Sequence, residues 1–166
     1  MIEQHYIDDA VGQLTRLKES ADKAIAQMAD QQLFDRLDRD ANSIALIMKH
    51  VAGNMRSRWT DFLTSDGEKP NRQRDDEFEL DEEDTRENLV AVWDAGWTLT
   101  LETIAALQPD DLATVVYIRG QALSVVHAIN RQMTHYAEHV GQIVMLAKHY
   151  AGPSWKTLSI PKRKPN

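Results

Sequence analysis

Four long stretches of this chain carry apolar side chains at every third or fourth position, with almost nothing in them to interrupt a helix. The 166 residues include only seven glycines and five prolines, and three of the prolines lie after residue 150. Interiors so poor in breakers favour helices. The first stretch, from about Glu3 to Met28, has the stripe Tyr6, Ala10, Leu14, Leu17, Ala21, Ile25 and Met28. The second, from about Ala41 to Thr64, has Ile44, Ile47, Met48, Val51, Met55, Trp59 and Phe62, with Asp40 or Asn42 as the expected cap. The third opens at Asp84-Thr85-Arg86-Glu87, which resembles a capping box with an acidic cap. It continues through Leu89, Val92, Trp93, Gly96, Thr100, Ile104 and Leu107 to a stop at Pro109. The fourth, from about Ser124 to Tyr150, has Ile129, Met133, Tyr136, Val140, Ile143 and Ala147, and stops at Gly152-Pro153.

The links are short apart from one. The β-branched run Thr114–Gly120 predicts a short β-hairpin before the last helix. Ser65–Glu83 reads as a loop, and eight of the ten residues from Asp75 to Asp84 are acidic, a block expected to repel itself and stay solvated. The expected fold is all-α, a four-helix bundle over residues 1–152. An irregular basic tail over 153–166 follows, carrying Lys156, Lys162, Arg163 and Lys164.

Charge and composition exclude several functions. With 19 basic and 26 acidic residues the net charge is −7, which argues against nucleic acid as a partner. The chain has no cysteine, so there is no disulfide and no cysteine nucleophile, and any metal must sit on nitrogen or oxygen ligands. No apolar run is long enough to span a membrane. Met1–His5 lacks the basic and apolar pattern of a signal peptide, so a cytoplasmic protein is expected.

The chemistry concentrates in histidines. His135 and His139 are four residues apart, which on a helix puts both imidazoles on one face, about 6 Å apart along the axis. They border the apolar stripe of the fourth stretch, as His50 borders that of the second. Bundle sites are built from facing helices in this way, and a third imidazole from a facing helix would complete a three-histidine site with an open position. His5, His127 and His149 read as ordinary helix residues without convergent partners.

Asn54, one turn after His50, and Gln142, three residues after His139, are candidates to hydrogen-bond a ligand water or orient an imidazole; equally, both fit as helix-surface amides. Arg56, Arg58, Arg72 and Arg74 bracket the loop after the second helix. They either hold an anionic substrate or balance the acidic block, and the second reading is favoured. His135-Tyr136-Ala137-Glu138-His139 also fits the inverted zincin pattern, with Glu138 as the base of a metal-assisted hydrolase. A bundle offers no obvious edge strand to hold a peptide, which weighs against that rival.

His50 in Ile47–Asn54, the run His135–Ile143 and the segment Asn54–Pro70 resemble the DinB-like superfamily of metal-dependent four-helix bundles, and an uncharacterised subfamily within it. The resemblance covers nearly the whole chain. It implies an up-down-down-up bundle, often a homodimer. It also implies a divalent metal, zinc or nickel, on three histidines that match His50, His135 and His139. Some relatives join a low-molecular-weight thiol, such as bacillithiol or mycothiol, to an electrophile. The implied function is therefore a metal-dependent, thiol-dependent S-transferase acting on a small molecule. The alternatives are a stress-related bundle that binds metal or ligand without turnover, and the hydrolase using Glu138.

Overall fold

A computed structural model describes residues 1–161 of the chain. It is mostly helical: α1 spans Ile2–Ile25, α2 Ile44–Trp59, α3 Arg86–Ala105 and α4 Val125–Ala151. The main helix contacts pair α1 with α4 and α3, and α2 with α3 and α4, an arrangement compatible with a four-helix bundle. The strands β1, Val115–Ile118, and β2, Gln121–Ser124, form an antiparallel hairpin before α4, with Ile118 opposite Gln121. Among the described residues no helix is long and apolar enough to cross a membrane.

The stripes face the core as the spacing predicts. All seven stripe residues of the second stretch are buried, as are Ala10, Leu14, Ala21 and Ile25 of α1. In α3 the burial turns slightly: Trp97 is fully buried, whereas Val92 is 48% exposed. Gly96 sits at the α2–α3 crossing, where a Cβ would stand 3.3 Å from both Ala52 Cα and Met55 Sδ. A residue without a side chain lets the two helices approach there.

Four expectations need correction. The cap of α2 is Ser43, whose hydroxyl accepts from Leu46 N, rather than Asp40 or Asn42. The cap of α3 is Thr85, which accepts from Asn88 N, and Asp84 instead binds Lys49 at 2.6 Å. α2 ends at Trp59, short of Thr64. Thr60 is extended and Asp61 takes a left-handed φ of 48°, which turns the chain back across the helix it has just left.

The fourth concerns the acidic block, which is not simply solvated. The returning segment covers the outer face of α2, and that is why this helix is buried almost all round. Lys49 draws the segment in through Glu79 O at 2.9 Å and through Asp84. Glu77 lies in a short 3-10 turn over Asp75–Phe78 and is only 7% exposed. After Gly152 the first part of the tail packs back on α1: Trp155 and Leu158 rest on the core, and the Lys156 backbone is held by the Gln27 side chain. Lys162, Arg163 and Lys164 lie outside the described residues.

Candidate metal centre

α2 and α4 pack side by side, and their contact brings His50 to His135 and His139. One ring nitrogen from each lies within 4.8 Å of the others. The Nε2 atoms of His135 and His139 are 3.1 Å apart. Two nitrogens bound tetrahedrally to one ion at 2.0–2.1 Å stand about 3.3 Å apart, so the pair is already near chelating distance.

Each outer ring nitrogen decides which way its imidazole presents its lone pair. Glu77 Oε2 lies 2.9 Å from His50 Nδ1. An ionised carboxylate only accepts, so Nδ1 carries the hydrogen and Nε2 offers a lone pair. Gln142 Oε1, 2.9 Å from His139 Nδ1, does the same for His139. Two of the three tautomers are thus set for coordination through Nε2. His135 Nδ1 is buried and has no partner among the described residues.

Electrostatics favour the neutral form of His135 and His139. Burial, then the neighbouring His139, His50, Arg58 and Arg72, push the His135 imidazole down to about 3. Burial lowers His139 as well, against the opposing hydrogen bond to Gln142. Neutral imidazole is the form that binds a metal. Three convergent nitrogens, two fixed tautomers and the lack of any thiolate fit a divalent cation of the borderline class.

Glu77 was not legible as a site residue, because it sits within an acidic run. Arg72 holds it in a fork, Nε to Oε1 and Nη2 to Oε2, each at 2.7 Å. Burial would raise its carboxyl, but the bonds from His50 and Arg72 hold it below the usual range. Gly53 makes the seat, since a Cβ there would collide with the Glu77 carboxylate. Two apolar residues, Phe78 and Leu80, interrupt the acids, and the local hint next to Glu77 is Phe78. Its ring lies 4.7 Å from that of His50, with Arg74 across its other neighbourhood at 5.0 Å.

A cavity of about 200 Å³ opens beside His50 and His135. It is also lined by Asn54, Gln132 and five arginines: Arg58, Arg72, Arg74, Arg119 and Arg131. Asn54 is buried at its wall, and its Oδ1 accepts from the Tyr136 hydroxyl at 3.1 Å, which in turn accepts from Trp59 Nε1 at 3.0 Å. With the oxygen engaged, Asn54 meets the cavity as a donor. Of the sequence candidates, Gln142 orients His139, Asn54 lines the cavity, and Arg58, Arg72 and Arg74 face it. Arg72 also neutralises Glu77, as the reading of these arginines as partners of the acidic block expects. Arg56 lines a separate, larger cavity between α2 and α3. Glu138 is exposed on α4 and is not part of the cavity wall. Gln132, Arg119 and Arg131 were not singled out by sequence.

One family model, described as a protein of unknown function (DUF1572), matches residues 1–164. No curated protein matches the chain.

Proposed function

The chain belongs to the DUF1572 family, and from that premise and its own histidine geometry we propose that it is a metal-dependent enzyme of the DinB-like kind, acting as a thiol-dependent S-transferase. The observation that carries this reading is the set of three imidazoles that each bring one ring nitrogen within 4.8 Å of the others, with two tautomers set by Glu77 and Gln142. His50, His135 and His139 would hold the ion, with zinc or nickel expected. When bound there, such an ion would leave one position open and would lower the pKa of a thiol entering it.

The chain's own residues supply the rest. Glu77 and Arg72 hold His50 in register, and Gln142 holds His139. Asn54 offers a donor at the cavity wall beside the ligands. The reaction forms a carbon–sulfur bond between the thiol and an electrophile. The leaving group departs with the bonding electrons, and the thiol proton passes to solvent. A cysteine-free protein has no nucleophilic thiolate of its own, so the sulfur must come from a small-molecule substrate. The same reading includes a homodimer, which sedimentation checks.

The test begins with metal content by mass spectrometry on untagged protein, beside His50→Ala and His139→Ala. About one ion per chain, lost in both variants, is expected for a single three-ligand site. Cobalt-substituted protein is then titrated with cysteine and with 2-mercaptoethanol. A change in its visible spectrum, together with accelerated conjugation of the thiol to monochlorobimane, supports the transferase. Bound metal without either response leaves a binding bundle, and no metal after reconstitution removes the reading.

A further inference from the structure

The cavity beside the histidines is lined by five arginines and no carboxylate. In a chain of net charge −7 this is a concentrated reversal of sign. Part of the positive charge is already answered: Glu68 stands behind the wall and binds Arg58, Arg72 and Arg119, and Glu77 binds Arg72. Asp75 adds a pair with Arg74 at 3.4 Å, and three carboxylates still leave the five guanidinium groups a net positive charge. Arg131, exposed on α4 one helical turn before His135, has no ion-pair partner among the described residues.

Besides His135 Nδ1, two further buried groups in the wall lack partners. Gln132 is 4% exposed and its Oε1 has no hydrogen bond among the described residues. Arg58 is 5% exposed, and its Nε is unpartnered in the same way. Native proteins leave few buried polar atoms unsatisfied, and a cavity wall is where a ligand satisfies them.

The hairpin tip is built to serve this cavity. Arg119 and Gly120 both adopt left-handed backbone, with φ of 54° and 73°. That geometry suits a two-residue hairpin turn but is costly for an arginine. Asp66 holds it, accepting from Arg119 N at 2.9 Å and from Gly120 N at 2.8 Å. The guanidinium is thereby fixed over Glu68 at the cavity wall.

We propose that this cavity is an oxyanion subsite of the substrate, gripped by Arg58, Arg119 and Arg131, with Gln132 bonding a polar group next to the anion. The ligand is a small molecule carrying a carboxylate or a phosphate beside a hydroxyl or amide. This rests on the reading of the histidines as the place where a small molecule reacts. Arginine forks match both kinds of oxyanion, so the two are separated by experiment.

Full-length protein, metal-free and zinc-loaded, is titrated calorimetrically with succinate, with inorganic phosphate and with neutral 1,4-butanediol. Saturable binding of one anion in both forms, with none for the diol, is expected. Arg131→Gln and Arg119→Gln should each weaken it by roughly tenfold or more, the scale of one charge-assisted bond, while metal stoichiometry stays unchanged. The better of the two anions names the class. No saturable binding into the millimolar range overturns the subsite. So does binding that ignores both substitutions, or that needs zinc and survives them, since the anion then sits on the metal. Anion binding lost in the variants of a protein that takes up no metal would keep the subsite and discard the proposed enzyme.

Discussion

His50 and Glu77, 27 residues apart, meet through a 2.9 Å hydrogen bond from Nδ1 to Oε2 in a buried pair. The bond makes an acidic residue of the covering segment the orienter of a histidine on α2. Glu77→Gln keeps the shape but removes the charge that polarises the ring and anchors Arg72. Zinc affinity measured against a competing chelator should fall by about 10–100-fold, with the ion still bound at high concentration. An unchanged affinity would show that His50 needs no carboxylate.

Gly53 and Gly141 make a matched pair. Replacing a helical glycine by alanine ordinarily stabilises by about 0.5–1 kcal/mol. Gly141 has open space around it, so Gly141→Ala should show that gain in denaturant unfolding and leave zinc affinity alone. At Gly53 the new methyl meets Glu77, which Arg72 and His50 pin in place. Gly53→Ala should therefore lose the gain and weaken zinc binding as Glu77→Gln does. Equal behaviour of the two alanines would remove the close approach from the account.

The hydroxyl of Tyr136 joins Trp59 to Asn54 inside the core. Tyr136→Phe leaves the indole donor and the amide acceptor buried without partners. Unsatisfied buried groups cost about 1–3 kcal/mol, so a clear loss of stability is expected. Asn54 is then free to turn, and any thiol conjugation should drop further than zinc content does. A variant as stable as the parent would mean that water replaces the hydroxyl.

Acid should loosen the metal-free protein. His135 is held down to about 3 in the fold, and His139 is also lowered, whereas an unfolded histidine titrates near 6.5. Between these values the unfolded chain binds more protons, so stability is present above about pH 6.5 and declines as pH falls toward 3. Glu77, held below the usual carboxylate range, adds a loss of the same sign at the acid end. Urea midpoints from pH 7 to pH 5 should decrease, and His135→Leu should flatten the slope. A flat profile in the parent would mean that these imidazoles charge in the fold without penalty.

The sequence by itself determined the helices and half of the site. Apolar spacing is a local property, and so is the pairing of His135 with His139, because four residues on one helix share a face whatever surrounds them. The hairpin was legible for the same reason, from β-branched residues ending at a glycine. His50 could be offered as a third ligand from its place beside a stripe, but only helix packing brings it within 4.8 Å of the pair.

Tertiary structure decided everything that depends on the chain crossing itself. An acidic run is self-repelling in isolation, and it is drawn onto α2 by Lys49, which binds Glu79 O and Asp84, and by His50, which meets Glu77. Glu77 became a buried orienter through that crossing, and Arg119 reached the cavity through a turn that Asp66 holds. Charge pairing across separate elements leaves no periodic trace in sequence, because it is set by which surfaces the burial of the apolar stripes happens to bring face to face.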